Sequence, residues 1–240
     1  MLQDLRGRAS VTGEGRLVDL ACGPGRVAIR MASYFKDILA IDHETEMIEV
    51  GRQVAARHEV GNIDWRAGRV EDLEIPDETI ELITIGEAFH RLDQRWVLER
   101  SLDWLLSGAC LTTLGCNGIR RGLEPWQDVL REVLEKWTGK VSKPRGAVRD
   151  STRTAEHAEQ VFRGAGFVDV QNHPSIHHHV WPPESIIGNL YSSSGNLRGV
   201  LGDDADGFEA DLTRHLLDFD PRGEYSEPLG FGFTLGRKTE

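Results

Sequence analysis

The stretch that most restricts this chain is Leu17-Val-Asp-Leu-Ala-Cys-Gly-Pro-Gly-Arg26. Leu17 to Leu20 reads as a short buried strand. Gly23-Pro24-Gly25 makes a tight turn, and Val27, Ala28, Ile29 and Met31 begin a helix. Glycines let a backbone approach a ligand with no Cβ in the way. The helix start offers unpaired N–H groups to a negative group. Strand, glycine turn and helix together predict a nucleotide-type cofactor at the first turn of an open α/β sheet, with Ala21, Cys22, Gly23 and Gly25 as the turn residues. A glycine turn that holds no ligand is the alternative.

Two cofactor classes use such a turn. Gly23-x-Gly25-x-x-Ala28 fits the loose dinucleotide pattern, with Asp42 as a ribose ligand, and would make the chain an NAD-linked oxidoreductase. Asp19 argues against this, because an acid on the strand would face a pyrophosphate as a like charge. An acid there suits a cofactor with an amino-acid tail and a sulfonium cation.

Asp19-Leu-Ala-Cys-Gly-Pro-Gly25 resembles motif I of the class I S-adenosylmethionine (SAM)-dependent methyltransferases. Further segments follow in that family's order. Ile38-Leu-Ala-Ile41 reads as a second strand ending at Asp42. A helix from Thr45 to His58 follows, with Met47 among its apolar positions. An acid at a strand end can accept both ribose hydroxyls, and the resemblance gives that role to Asp42, beside His43 and Met47; a solvated strand-end acid is the alternative. Ile63 to Ala67 reads as strand three. Gly68-Arg-Val-Glu-Asp-Leu73 resembles the family's adenine segment, which implies a backbone N–H from Val70 and an acceptor from Glu71 or Asp72. Arg69 departs from the small or acidic residue usual there.

Ile80 to Ile85 reads as a central strand, apolar on both faces, with Glu81 where the family commonly has Asp. Gly86-Glu-Ala-Phe-His90 stands at its carboxyl end, where ligands of open α/β sheets sit. It resembles the Ala-Phe-His segment of many small-molecule methyltransferases. That implies Gly86 near the cofactor's amino-acid tail and His90 as general base, with Glu87 second. A pocket-shaping His90 is the alternative reading.

Gln94 to Leu106 reads as a helix stopped by Ser107-Gly108, with Trp96 and Trp104 as core. Ala109 to Leu114 reads as strand five. Residues 117–153 and 174–225 read as substrate-side insertions or a cap on one 1–240 domain. In the first, a helix starts at Pro125-Trp126, and Gly139 to Asp150 reads as a polar connector. Trp126 and Trp137 would either wall a pocket or pack the insertion. Thr154 to Ala165 reads as a helix with cap candidates Ser151, Thr152 and Thr154. Val168 begins strand six, Glu184 to Tyr191 and Phe208 to Phe219 read as helices, and Phe231 to Arg237 reads as a short closing strand. The resemblance implies a Rossmann-like, seven-stranded, mostly parallel sheet with helices on both faces and an antiparallel last strand.

The net charge of −11 argues against a nucleic-acid groove and an anionic membrane surface. A local basic patch from Lys140, Lys143, Arg145, Arg149 and Arg153 stays open. No apolar run is long enough to cross a bilayer. Three cysteines without metal-type pairing suit a cytoplasmic protein with reduced thiols. His177 and His179 share a strand face, but no acid or cysteine completes a zinc set, so no metal is expected. Residues 1–15 are short and polar, less than the N-terminal cover that the resemblance implies. The expected partner is a small-molecule methyl acceptor, in a setting such as bacterial natural-product metabolism. A homodimer is considered, and so is a non-catalytic SAM-binding sensor that keeps the fold.

Overall fold

A computed structural model describes the chain except residues 117, 118, 120, 121, 141–146, 194–196 and 240; the side chains of 147–155 and 193 are also outside the description. Lys143 and Arg145 of the basic patch lie outside the described residues, as do the Arg149 and Arg153 side chains. Two compact units emerge. The first holds Met1–Gly115, Thr154–Pro174 and Gly232–Glu240; the second holds Cys116–Arg153 and Ser175–Phe231.

One seven-stranded sheet has the order β3-β2-β1-β4-β5-β7-β6. Its strands are β1 (Arg16–Leu20), β2 (Asp37–Asp42), β3 (Ile63–Ala67), β4 (Ile80–Gly86), β5 (Leu105–Cys116), β6 (Val168–Trp181) and β7 (Tyr225–Arg237). The ladders joining β3, β2, β1, β4 and β5 are parallel. Strand β7 runs the other way: Thr112 donates to the Thr234 carbonyl, and the Lys238 amide to that of Ala109. The order thus reverses between β1 and β4, and the crevice at their carboxyl ends is where such sheets bind ligands.

The first unit buries both faces of its sheet, as parallel strands require. Alternate residues divide cleanly. Val18, Leu20, Leu39, Ile41, Ile83 and Ile85 face α4 (Gln94–Trp104) and α6 (Ala147–Ala165), which supply Val97, Leu98, Trp104 and Phe162. Leu17, Ile38, Ala40 and Leu82 face α1 (Leu2–Arg8) and α2 (Arg26–Met31), which supply Leu5, Ala28 and Met31. Trp104 is fully buried and Trp96 meets it edge-on at 6.2 Å, so both are core.

Several boundaries differ from the sequence reading. Residues 1–15 are not merely a polar lead: α1 sets Leu5, fully buried, into the core. Helix α4 stops at Trp104, and Ser107-Gly108 lies inside β5. Gly108 adopts φ +73, and the β4–β5 register jumps from Ile80–Leu105 to Leu82–Cys110, a bulge that glycine makes accessible. Helix α6 begins at Ala147, so Ser151, Thr152 and Thr154 stand inside it. After Pro144 and Gly146 no breaker occurs before Gly164, and helix-favouring alanines, arginines, glutamates and a glutamine make up about half of the run. Strand β6 runs from Val168 to Trp181, and β7 begins at Tyr225 rather than Phe231.

Glu81, the departure from the family pattern on β4, reaches the N-terminal loop. Its carboxylate accepts the Thr12 hydroxyl at 2.8 Å, the Gly15 amide at 2.9 Å, the Gly13 amide at 3.1 Å and the Thr12 amide. Burial pushes this carboxyl up, but the Thr12, Gly15 and Gly13 donors outweigh it, and the net displacement is downward. Glu81→Gln would turn an NH2 group toward those amides. It should cost about 1–3 kcal/mol in urea denaturation at neutral pH. The difference from wild type should shrink as pH falls below the ordinary glutamate range, because a depressed carboxyl stabilises only while ionised.

The second unit has its own core. Helices α5 (Pro125–Thr138), α7 (Pro183–Ser193), α8 (Leu197–Leu201) and α9 (Ala205–Phe219) bury Trp126, Leu130, Ile186, Leu190, Leu201, Phe208 and Leu216 together. Trp126 donates to the Ser226 carbonyl and Trp137 to Asp211, each at 2.9 Å. Both rings therefore pack their own unit rather than wall a pocket.

Candidate cofactor site

The glycine turn divides its labour. Ala21, Gly23 and Gly25 all have positive φ, +51, +53 and +73. A Cβ on Gly23 would meet no atom within 4 Å, whereas a Cβ on Gly25 would lie 2.2 Å from the Trp65 ring of β3. The same ring would lie 2.5 Å from a Cβ on Gly51, in α3 (Thr45–Arg57). Gly23 therefore keeps open space for a ligand, and Gly25 makes room for an indole. The sequence reading gave both glycines the ligand's role; only Gly23 faces open space.

Asp42, 6% exposed, links the turn to β2. One carboxylate oxygen accepts the Gly23 amide at 2.8 Å, the other the Glu44 amide at 2.9 Å. Its carbonyl accepts from the Gly68 amide, which ties in the β3 exit. Each carboxylate oxygen keeps a second lone-pair direction for a further donor. His43 is exposed, with Nδ1 3.3 Å from Asp42, and Met47 is partly exposed on the first turn of α3. Asp42→Ala removes the anchor of two amides and the acceptor beside them. It should weaken S-adenosylhomocysteine binding by about 1.5–3 kcal/mol in calorimetric titration. An unchanged dissociation constant with lowered stability would make Asp42 a structural clamp only.

Asp19 sits behind the turn, 1% exposed. It accepts the Thr84 hydroxyl at 2.6 Å and the Ala28 amide, in the first turn of α2, at 3.2 Å. Burial pushes its carboxyl up to about 7; the Thr84 and Ala28 bonds pull back only part of this, and nearby Asp42 adds to it. A raised carboxyl weakens the fold as pH climbs from the ordinary aspartate value toward 7, at about 1.4 kcal/mol per unit of displacement. Against wild type, Asp19→Asn should therefore gain relative stability across that window and run parallel above it, as read by thermal melts at several pH values. Cys22 packs beside the sheet face covered by α1 and α2, its thiol 3.3 Å from the Gly23 carbonyl and pushed up by burial.

Val70 is buried in a short 3-10 turn, Val70–Asp72, and Glu71 beside it is exposed. Arg69 Nε donates to Glu71 at 3.3 Å. Glu71's own backbone amide and Arg69 hold its carboxyl below the usual range. The departure at Arg69 thus gives Glu71 a partner. At the end of β4, Gly86 adjoins Val27, with 3.3 Å from its would-be Cβ. Glu87 takes φ +56 while its amide donates to the Leu114 carbonyl, an uncommon conformation for a non-glycine residue at a strand end. Its carboxyl lies 3.7 Å from the would-be Cβ of Gly115. His90 is exposed in the turn Phe89–Arg91, anchored by Phe89 against Phe162 at 5.9 Å. Two of the β6 histidines have other contacts: His177 bonds Ser175 and meets Phe231, and His179 meets Trp181.

The carboxyl ends of β1, β2 and β4 thus bring together a prebuilt turn, a buried acid pair and an exposed imidazole. This is the class of doubly wound α/β proteins that hold a nucleotide-type cofactor at the strand ends. Residues 17–108 match the sequence model of the methyltransferase-domain family. An uncharacterized methyltransferase of Schizosaccharomyces pombe is 26% identical over 163 residues, 68% of this chain and 58% of that protein. YcgJ of Bacillus subtilis, also an uncharacterized methyltransferase, is 30% identical over 82 residues, 34% of this chain and 32% of its own. The YcgJ crystal structure superposes with a TM-score of 0.56 at 16% identity, covering 100% of this chain and 98% of that one. Demethylmenaquinone methyltransferase of Geobacillus kaustophilus is 25% identical over 184 residues, 72% of this chain and 79% of that protein. The chain therefore spans 58% and 32% of the first two of these relatives. Residues 17–108 thus resemble a methyltransferase domain, and the relatives that match beyond them are themselves methyltransferases. Among the described residues no helix is long and apolar enough to cross a membrane.

Proposed function

We propose that this chain transfers a methyl group from SAM to an O, N or C atom of a small organic molecule. The observation that carries the reading is the Asp42–Gly23 clamp beside open space, in a chain whose matched domain is a methyltransferase. Bound there, SAM supplies an electrophilic methyl group already activated by its sulfonium. The chain's own residues bind, align and exclude water. Gly23 lets the backbone come close, with Ala21, Cys22 and Gly25 shaping the turn. Asp42 accepts ribose hydroxyls beside His43 and Met47. The Val70 amide and the Glu71 carboxylate take the adenine edge, and the Gly86 backbone meets the amino-acid tail. His90 accepts the acceptor's proton at a ring nitrogen, with Glu87 as the second candidate base.

Acceptor recognition falls to residues 117–153 and 174–225, the first of which leaves the sheet at the carboxyl end of β5. A cytoplasmic setting in small-molecule metabolism fits a net charge of −11 and a chain with three cysteines. Calorimetric titration with S-adenosylhomocysteine, with NAD as control, followed by a methyl-transfer screen over phenols, amines and activated carbons, tests the reading. Micromolar binding of the former and turnover of one acceptor class are expected. Binding without transfer to any acceptor would favour a SAM-binding sensor, and NAD binding alone would overturn the cofactor.

A further inference from the structure

Strand β6 is the last in the sheet order, so one of its edges carries backbone N–H and C=O groups with no neighbouring strand among the described residues. Native sheets guard such edges with charge, bulges or extreme shortness. This edge is 14 residues long, and residues 170–183 contain no Asp, Glu, Lys or Arg, in a chain of net charge −11. From the unit boundary onward the strand and its exit read Pro174-Ser-Ile-His-His-His-Val-Trp-Pro182. Its two faces differ. Ser175, His177, His179 and Trp181 share the face that is engaged within the unit, through Phe231 and Glu227. Ile176 and Val180, with His178 between them, share the other face. Ile176 is 54% exposed and Val180 is 50% exposed.

The segment is symmetric about His178. Ile and Val stand two residues to either side, histidines one residue to either side, and prolines four residues to either side. Antiparallel pairing with an identical strand, centred on His178, sets Ile176 opposite Val180, His177 opposite His179, and His178 opposite its own copy. Such directly opposed apolar pairs are the unit of sheet stabilisation. The prolines cannot donate to a ladder, so they end the seam at matching points. The absence of like charge lets two acidic chains meet here. We propose that this edge docks a second copy of the chain, joining the two sheets across a two-fold axis at His178. The inference stands independently of the methyl-transfer reading.

The register makes the test specific. In antiparallel ladders directly opposed residues have Cα atoms about 4.5–5.5 Å apart, within the range that a disulfide spans. In a Cys116→Ser background, which removes an exposed thiol, His178→Cys should oxidise to a covalent dimer on its own. Ile176→Cys should do so only when mixed with Val180→Cys. Sedimentation of the full chain, with a chelator to prevent metal bridging of the histidines, should show a dimer that Ile176→Lys converts to monomer; circular dichroism checks that this exposed substitution leaves the fold intact. A monomeric wild type, a dimer indifferent to Ile176→Lys, or cross-linking at 176 alone would each overturn the proposal.

Discussion

Replacing His90 by alanine is expected to lower turnover by about 100- to 10,000-fold, the usual contribution of a positioned general base. S-adenosylhomocysteine binding should stay within about twofold, because His90 makes none of the contacts assigned to the cofactor. The expectation follows from how the turn is built. Phe89 is packed against Phe162 and the Arg91 amide donates to the Ala88 carbonyl, so the backbone of the turn is fixed from both sides. The imidazole between them is left exposed at the carboxyl end of β4. Added imidazole should restore part of the lost rate to His90→Ala by serving as a diffusible base. A loss of cofactor affinity with unchanged turnover of bound substrate would make His90 a binding residue. Unchanged kinetics throughout would pass the role of base to Glu87, tested by Glu87→Gln.

Gly25→Ala should cost about 2–5 kcal/mol of stability. A left-handed backbone costs an L-residue roughly 1–2 kcal/mol, and forcing a methyl group into a filled space adds about 1–3. The Cβ would fall 2.2 Å from the Trp65 ring, which is itself held against Gly51 and cannot retreat that way. Gly23→Ala bears only the backbone cost, since its Cβ meets nothing, but it fills the space next to the Asp42 clamp. The two variants should therefore separate: urea denaturation shows the larger loss for Gly25→Ala, while calorimetry at low temperature shows the larger loss of affinity for Gly23→Ala. Trp65→Leu should relieve part of the Gly25→Ala penalty, giving a coupling of at least about 1 kcal/mol in a double-mutant cycle. Equal losses in both variants would mean that the indole moves aside easily.

The parallel half of the sheet was legible because it is built from local signals. Strands β1, β2 and β4 are short, mainly apolar runs, edge strand β3 alternates apolar and polar residues, and the bounds of all four match the sequence reading to within a residue or so. Errors gather where a residue's usual meaning is overruled by distant partners. Gly108 after a helix reads as a stop, but β4 lies ready to pair with the residues around it and makes it a bulge. Glu81 reads as a variant of a strand-end acid, and its use became visible only when residues 12–15 were seen beside it. Likewise nothing near Trp65 in sequence shows that Gly25 and Gly51 are small for its sake. The tryptophans of α5 were ambiguous because an aromatic residue serves a pocket wall and a core equally well; Ser226 and Asp211, some 75 to 100 residues away, decide it. At the site, the positions of the glycine turn and of Asp42 at the end of β2 were legible, the ribose role of Asp42 came only from the resemblance, and the positive φ of Glu87 was not legible.

The second unit is drawn from two separate stretches of chain, Cys116–Arg153 and Ser175–Phe231, with Thr154–Pro174 of the first unit threaded between them. No single cut frees it, and no single crossover between genes can exchange it whole. A lineage that exchanges the proposed acceptor-recognising unit by recombination would have to replace two inserts at once and preserve a helix and half a strand in between. Change in such a chain is therefore channelled into substitution within each insert, and chimeras that exchange one insert alone should lose the shared core before they gain a new specificity.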